Sequence, residues 1–579
     1  MKKKMKKNSD TDEKLRCGLV CALLALALLL PPSLWARQSG DAGNDEREGR
    51  NFTTTKYFDI LHYIFRELES AYVDTTDVEE VFYSAIDGML SAYDPYTEFY
   101  SEDDVSDLQF ITTGEYAGIG SVISQQDKRI IVSEPYEGMP AQLAGLQFGD
   151  ELVEIDGEKM AGKSVSEASE RLRGEPNTEV KLLIRREGEK KLLKKTVVRQ
   201  RIVVDQVKYY GMVAPTTGYI YLSSFTDKAY NEVLHAFKEL KAQGAEKMIL
   251  DLRGNGGGLL SEAVSICNMF VPKGEPIVTT KGRDRLDDRI YKTMREPVDT
   301  AMPLAVLVNS GTASSSEIVS GALQDLDRAV IIGTRTFGKG LVQSTRELPY
   351  NALLKVTTAK YYIPSGRCIQ AIDYSNRNAD GSVGRIPDSL STDFLTRHGR
   401  TVRDGGGILP DVEVKTEDYS SLAYQLSVNR YFFDYANLYF RRHASIPPVS
   451  EFALSDEDYE DFCRYVTERG ISYDMRSQLL MKELKRVLKV EGYYDSVKEA
   501  FSALEKQLSK DLAFDLQLLR KEIEPLLSAE IVLRYYYQRG EIEQGLKDDP
   551  TLRRAIEILD DPARCRALLS PSETKNDPA

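Results

Sequence analysis

Histidine is scarce in this sequence. The 579 residues include four histidines, His62, His235, His398 and His443. No two of them stand at the HxxxH spacing of a helical zinc site. We therefore expect neither a metal nor a cofactor, and a Ser-His-Asp triad would have few candidates for its base.

Basic residues and cysteines are also in short supply. Lysine and arginine number 76 against 90 aspartates and glutamates, and the net charge of −14 argues against nucleic-acid binding, which favours a basic face. Two of the six cysteines, Cys17 and Cys21, lie in an N-terminal apolar run, and the other four are far apart. This spacing excludes a disulfide scaffold.

The first 36 residues have the layout of a secretory signal. Seven basic and three acidic residues among the first 16 precede the uncharged run CGLVCALLALALLL at 17–30, with Pro31, Pro32 and Ala36 following. The run is shorter than the ~20 residues that span a bilayer. We predict a cleaved signal peptide over 1–36 and an exported protein of the periplasm or cell envelope. An uncleaved N-terminus that anchors the chain to the membrane is the alternative, because Leu34 suits cleavage only moderately.

The remaining sequence changes texture several times, as expected for three to five domains at ~100–200 residues each. The predicted regions are a polar linker over 37–52, a helical segment over 53–115, a β-rich module over 116–200, an α/β layered core over 201–415 with a loop insertion at 371–407, and a helical region over 416–579. Alternation of strands and helices in the core predicts an α/β fold.

Three glycines follow a predicted strand in the string DLRGNGGG, residues 251–258. Backbone N–H groups in such a turn are free to face a ligand. The string lacks the Lys-Ser or Lys-Thr that closes a phosphate loop. A bare turn is the structural alternative.

Three consecutive serines, Ser314, Ser315 and Ser316, follow another predicted strand in GTASSSEI, residues 311–318. A serine at a helix N-terminus lies in the positive field of the helix dipole and is a candidate nucleophile. The structural alternative is a helix cap in which Glu317 completes a capping box. The residues alone do not choose among the three serines.

Lys339 lies between two glycines in GTRTFGKGLVQ, residues 333–343. A lysine on such a loop is usually solvated, and it acts as a base only where burial lowers its pKa from about 10.4. No histidine lies between 236 and 397. An oxyanion-hole turn, a hydroxyl and a lysine in one domain therefore favour Ser-Lys chemistry.

In this combination and order, the three strings resemble the C-terminal processing, or tail-specific, proteases of serine peptidase family S41. The resemblance covers about residues 53–415 and implies a crotonase/ClpP-like layered protease core. It implies Ser314 as nucleophile, Lys339 as general base and Gln343 as a residue that orients the lysine. It further implies an oxyanion hole from the N–H groups of Gly258 (with Gly257 as a less favoured choice) and Ser315, and a supporting role for Glu317.

The module at 116–200 resembles a PDZ domain, which adds a peptide to a sheet edge and holds its carboxylate with backbone amides. The resemblance implies a carboxylate loop at Gly118, Ile119 and Gly120, with Ile119 and Val122 lining a pocket. Arg173 resembles a position that senses the bound tail in some relatives.

The sequence therefore predicts an exported serine endopeptidase that binds protein C-termini and cleaves them with a Ser-Lys dyad. The expected substrates are proteins with apolar C-termini. An adaptor protein and a homo-oligomer are further expectations from the family. A non-catalytic binding protein on the same fold is the first alternative. A trypsin-like protease with a PDZ domain is the second, and the domain order disfavours it.

Overall fold

A computed structural model describes residues 41–102, 104–378, 382–415, 419–473, 476–508 and 511–571. The predicted signal peptide, residues 1–36, lies outside the described residues. Within the ranges described, no helix is both long and apolar enough to cross a membrane.

Two helices, α1 (Asp41–Ala71) and α2 (Val78–Leu90), form the N-terminal segment. They correct the predicted linker at 37–52, because α1 already begins at Asp41. Glutamate and arginine are good helix formers, and acidic residues near a helix N-terminus are favoured by its dipole. A polar composition is therefore compatible with a helix in this stretch and does not by itself indicate a linker.

The β-rich module is a small antiparallel domain. Its elements are β2 (Glu115–Gly118), β3 (Ser121–Gln126), β4 (Arg129–Pro135), α4 (Pro140–Leu143), β5 (Glu151–Ile155), β6 (Glu158–Lys159), α5 (Val165–Leu172), β7 (Glu179–Arg185), β8 (Leu193–Val198) and β9 (Gln200–Val203). The sheet order is β3-β4-β5-β7-β8, with β6 beside β5, while β2 pairs with β9. Alternate residues of β7, Val180, Leu182 and Ile184, are buried in the module's core, as a half-buried strand requires.

The protease-like core is built on a six-stranded central sheet. Its strands are β10 (Val207–Ala214), β11 (Thr217–Leu222), β12 (Lys247–Asp251), β15 (Leu304–Val308), β16 (Val330–Gly333) and β23 (Val412–Glu413), adjacent in that order. All neighbours from β11 to β23 are parallel, whereas β10 is antiparallel. Helices α6 (Ala229–Ala242), α7 (Leu260–Phe270) and α8 (Ser315–Asp325) share one apolar core with this sheet. The loops that follow β12 and β15 meet at one edge, because parallel strands end on the same side.

A second, antiparallel sheet lies beside this core. Its strands are β1 (Glu98–Tyr100), β13 (Pro276–Gly282), β14 (Arg289–Lys292), β17 (Leu341–Glu347) and β18 (Leu353–Tyr362), in the order β1-β18-β13-β14 with β17 also on β18. The short helix α3 (Val105–Thr113) follows β1. The α/β layered class predicted from the sequence is confirmed.

The predicted loop at 371–407 is wrong, because the segment forms two hairpins. They are β19 (Ile372–Arg377) with β20 (Val383–Arg385), and β21 (Asp393–Leu395) with β22 (Thr401–Arg403). Its polar residues make specific ion pairs, since Arg400 lies 2.6 Å from both Asp327 and Asp411. Composition alone does not separate such a hairpin from a loop.

The C-terminal region is helical, as predicted. Its helices are α9 (Ser421–Val428), α10 (Tyr431–Arg442), α11 (Asp456–Arg469), α12 (Arg476–Val490), α13 (Tyr494–Gln507), α14 (Leu512–Leu518), α15 (Arg520–Leu546), α16 (Pro550–Asp560) and α17 (Pro562–Leu568). The helix α15 is interrupted at Tyr537, with φ 52° and ψ −161°. At this kink, Gln142 donates to the Tyr537 hydroxyl and Gln538 donates to Glu134. The C-terminal helices therefore hold the β-rich module.

The last two helices cover the second face of the central sheet. Leu552, Ala555, Ile558 and Leu559 of α16 are buried against strand residues of β12, β15 and β16, which are Ile249, Ala305, Leu307, Val330 and Ile332. A parallel sheet needs both faces covered. The predicted helical region 416–579 thus supplies one layer of the α/β core.

Candidate active site

The glycine turn after β12 is held by the side chain of Asn255. Its Nδ2 donates to the Leu222 carbonyl at 2.8 Å, and its Oδ1 accepts the Gly257 N–H at 2.9 Å. Gly258 has φ 143°, and a Cβ on it would lie 2.3 Å from the Phe225 carbonyl oxygen. Among the described residues, the Gly258 N–H donates to no other group, whereas that of Gly257 is occupied.

In the turn after β15, the three serines that the sequence could not rank make different hydrogen bonds. Ser315 donates its hydroxyl to the Gly258 carbonyl at 2.8 Å, and Ser316 donates to the Asn255 carbonyl at 2.9 Å. Both are buried and fasten the two loops together. Ser314 is half-buried, and its hydroxyl donates to no other group in the described part of the chain. Its φ of 57° and ψ of −116° are strained for a residue with a Cβ, as at many functional sites.

Glu317 links the serine turn to the lysine loop. Its carboxylate, with no solvent exposure, accepts the N–H groups of Ser314 at 2.9 Å, Gly338 at 2.8 Å and Lys339 at 2.9 Å, and the Thr336 hydroxyl at 2.5 Å. Burial raises its pKa to about 7, against the lowering effect of these four donors. The Glu317 half of the capping box is therefore present, and the same carboxylate also orders the loop that carries Lys339.

Lys339 is half-buried between Gly338 and Gly340. Burial, then repulsion from Lys355, lowers the pKa of its ammonium to about 8. Its Nζ lies 4.0 Å from the centroid of the Tyr96 ring. Gln343, the residue expected to orient the lysine, donates instead to Thr357 Oγ1 at 3.1 Å. Within the part of the chain that the structure describes, no hydrogen bond joins Lys339 to Ser314.

Tyr361 connects the serine and the lysine through their main chains. Its buried hydroxyl is 3.1 Å from the Ser314 carbonyl and 2.5 Å from the Lys339 carbonyl. Sequence reasoning missed Tyr361 and Tyr96. Tyr361 lies in β18, outside the three motif strings, and Tyr96 lies in the predicted helical segment over 53–115.

One cavity of about 470 Å³ joins these groups. Its lining includes Ser314, Ser315, Lys339, Gln343 and Gly258, together with apolar side chains of Leu108, Ile111, Leu260, Leu341 and Val342. The structure therefore brings together all the residues predicted for the dyad and the oxyanion hole, beside an apolar wall that suits a peptide side chain.

The residues predicted for tail binding lie on one side of the β-rich module. Gly120 has φ 74°, and the Arg173 guanidinium lies 5.8 Å from the centroid of the Tyr116 ring. Ile119 does not line an open pocket, because its side chain is 2% exposed and belongs to the module's core. Val122 is 38% exposed and remains on the surface.

Three family models match parts of this chain. The model for peptidase family S41 matches residues 216–375, that for a PDZ domain matches 131–186, and that for the C-terminal helical domain of probable PDZ-proteases matches 422–559. Among solved structures, the photosystem II D1 C-terminal processing protease shares 29% identity over 61% of this chain and 86% of its own, with a TM-score of 0.33.

The match to each of two curated relatives covers more than two thirds of the relative's length. A carboxy-terminal-processing protease of Bartonella bacilliformis is 39% identical over 313 residues, which is 53% of this chain and 71% of the relative. A probable CtpA-like serine protease of Staphylococcus aureus is 32% identical over 385 residues, which is 66% of this chain and 69% of the relative. The chain therefore belongs to peptidase family S41, among its C-terminal processing serine proteases.

Proposed function

We propose that this serine peptidase cleaves with Ser314 as nucleophile and Lys339 as general base. The observation that carries the proposal is the shared cavity in which the Ser314 hydroxyl, the partly buried Lys339 and the Gly258 N–H converge. Among the described residues, neither the hydroxyl nor this N–H donates to another group. A lysine with a pKa near 8 has a substantial neutral fraction at physiological pH.

In the proposed reaction, neutral Lys339 takes the proton of Ser314 Oγ while the oxygen attacks a peptide carbonyl. The N–H groups of Gly258 and Ser315 stabilise the tetrahedral oxyanion. The N–H of Ser315 is available because it stands at the first helical position of α8, where no helical carbonyl precedes it. The lysine ammonium then gives its proton to the leaving amine, and the acyl-enzyme forms. Water, deprotonated by the same lysine, hydrolyses the ester and restores Ser314.

Two substitutions test this assignment. Ser314→Ala and Lys339→Ala should each remove cleavage of a peptide with an apolar C-terminus, measured by mass spectrometry of the products. Lys281→Ala is the matched control, because Lys281 is exposed and also lies over a tyrosine ring, 4.3 Å from the centroid of Tyr362. Full cleavage by either Ala variant would refute the dyad.

We propose further that the PDZ domain delivers substrates by their C-terminal carboxylates. The glycines at 118 and 120 and the position of Arg173 beside this loop support the proposal. A peptide amide should show a higher KM than the matching free acid, with kcat little changed. Arg173→Ala should reduce this difference, whereas Arg185→Ala, which alters an exposed residue paired with Glu151, should not. Equal KM values for acid and amide would contradict PDZ delivery.

We propose export on the basis of the basic, apolar and proline-containing layout of residues 1–36. Mass determination of the N-terminus in protein from fractionated cells tests it. Cleavage after Ala36 in the envelope fraction is the expected result, an intact N-terminus in the membrane fraction supports the anchor, and an intact chain in the cytoplasm contradicts export.

A homo-oligomer is part of the proposal as well. The described helices α1 and α2 expose large apolar side chains, among them Phe58, Tyr63 and Phe82, and exposed apolar patches mark interaction sites. Light scattering of the purified chain tests the oligomer, and a monomer at all concentrations contradicts it. An adaptor protein stays a prediction of the resemblance.

A further inference from the structure

The ammonium of Lys339 has an aromatic partner outside the catalytic motifs. Its Nζ lies 4.0 Å from the centroid of the half-buried Tyr96 ring, well within the range of a cation–π contact. The negative face of the ring attracts a protonated lysine and has no comparable attraction for a neutral amine. The observed contact thus suits the protonated lysine, and Ser314 is not hydrogen-bonded to it within the described residues.

A tight turn fixes Tyr96 in this place. Asp94 is 7% exposed, and its carboxylate accepts the N–H of Tyr96 at 2.8 Å and that of Thr97 at 2.9 Å. Thr97 is joined to β18, because its hydroxyl accepts the N–H of Thr357 at 3.3 Å. Thr357 is also the acceptor for Gln343. The turn is therefore tied to the strand that faces the lysine loop.

The hairpin of β19 and β20 holds the turn from its other side. The Tyr374 ring meets Tyr96 edge-on, with centroids 6.1 Å apart, and its hydroxyl donates to that of Tyr96 at 3.4 Å. Arg377 donates to the Ser91 carbonyl at 2.8 Å. Strand β19, in the stretch 371–407 that the sequence presents as an insertion, thus supports the ring that contacts the lysine.

Charged groups on four other elements also face Lys339. Lys355 on β18 repels its ammonium, while Glu98 on β1, Asp94 in the turn and Glu317 on α8 attract it. Lys355 and Glu98 form an ion pair of 2.8 Å and so offset each other in part. The ring contact adds a short-range attraction that can be changed without altering any of these charges.

We propose that Tyr96 is a positioning residue for Lys339: its ring holds the protonated ammonium in a resting position and releases the neutral amine toward Ser314. The inference rests on Lys339 acting as the general base, as proposed above. It makes the ring one of the groups that set the pH at which the dyad assembles. Proton uptake and release at Nζ are then coupled to a change in the position of the side chain.

The expected effect is a shift in the acid limb of the kcat/KM profile. The ring stabilises the charged lysine, so its removal lowers the pKa of Lys339 and moves the limb to lower pH. A cation–π contact of ordinary strength corresponds to a shift between about 0.4 and 1.5 pH units. The plateau at high pH should stay unchanged, because the neutral amine does not depend on the ring.

The decisive experiment compares Tyr96→Phe with replacement of Tyr96 by pentafluorophenylalanine in the full-length protein. The two rings have nearly the same shape, but fluorination removes the negative face. Tyr96→Phe should keep the wild-type acid limb, and the fluorinated ring should lower it. Tyr96→Leu, which keeps an apolar neighbour without any ring, should move the limb in the same direction. Melting temperatures show whether each variant is folded.

An acid limb that is equal in the Phe and fluorinated variants overturns the proposal. So does a lowered plateau with an unmoved limb, since this is the effect of a merely structural tyrosine. Failure of the dyad itself is recognised separately, because Lys339→Ala would then retain activity. If Lys339→Ala is inactive and the acid limb of the fluorinated variant does not move, only the role of Tyr96 is refuted.

Discussion

At the scale of single residues, the proposed reaction depends on the burial of Lys339 and on its distance from other cations. Its pKa of about 8 results first from burial and second from the nearby Lys355. In the proposed mechanism the neutral lysine is the reactive form, so activity should rise as the pH increases through about 8. At pH values below this limb, kcat/KM should fall about tenfold per unit.

Replacement of the second lysine tests this account of the pKa. Lys355→Gln removes a repulsive charge and frees Glu98 from its ion pair, and both changes favour the protonated Lys339. The acid limb of kcat/KM should therefore move to higher pH. Lys360→Gln on the same strand, where the side chain is exposed, should leave it in place. A limb that moves to lower pH in Lys355→Gln would contradict the electrostatic explanation.

Glu317 predicts a pH dependence of stability. Its pKa in the folded protein, about 7, is above its ordinary value of 4.5, so the folded state holds a proton that the unfolded state releases. Its contribution to the unfolding free energy should fall by about 3 kcal/mol as pH rises from 4.5 to 7. Denaturant unfolding of wild type and Glu317→Gln at pH 5 and pH 8 measures this, because the glutamine variant lacks the slope. Parallel curves for the two proteins would show that Glu317 does not titrate in this range.

At the scale of elements, the two loops at the carboxyl ends of β12 and β15 must approach each other closely. Gly258→Ala would bring a Cβ within 2.3 Å of the Phe225 carbonyl, at a φ of 143° that only glycine adopts readily. Loss of one oxyanion donor lowers kcat by about 10²–10³-fold, and we expect at least this for Gly258→Ala. Gly256→Ala is the fold control in the same loop, since a Cβ there meets no atom within 4 Å. Wild-type kcat in Gly258→Ala would exclude its N–H from the oxyanion hole.

The sequence predicted secondary-structure elements and motifs better than it predicted the contacts between residues that are distant in the chain. Strings such as DLRGNGGG carry local information, because a strand, a turn and a helix follow one another. The choice of Ser314 over Ser315 and Ser316, in contrast, depends on which carbonyls the other two hydroxyls reach. Tyr96 lies 243 positions before Lys339, within the predicted helical segment 53–115, and no motif marks it. Contacts of this kind arise from the folded topology and leave no periodic signal.

At the scale of the whole molecule, the C-terminal helices are joined to the glycine turn after β12. Arg253 lies in the glycine turn and pairs with Asp251 and with Asp549, each at 2.5 Å. Asp549 also caps α16 by accepting the N–H groups of Thr551 and Leu552. Asp549→Ala should therefore destabilise the fold by about 1 kcal/mol through the lost cap. It should also lower kcat, because one partner of the turn is removed. Asp548→Ala is the neighbouring control. Equal kcat values for both variants would show that the contact between α16 and the glycine turn does not affect catalysis.

The same connection predicts that the catalytic core and α16 unfold together. Ile558 is fully buried between α16 and the central sheet, and Ile558→Ala should lower the unfolding free energy by about 2–5 kcal/mol. If α16 is a layer of the core, the loss of helical circular dichroism and the loss of peptidase activity should shift together. Arg554→Ala, on the outer face of the same helix and paired with Glu557, should change stability by no more than about 0.5 kcal/mol. An Ile558→Ala protein whose activity midpoint stays at the wild-type value, while its helical signal melts earlier, would show that the C-terminal region folds as a separate domain.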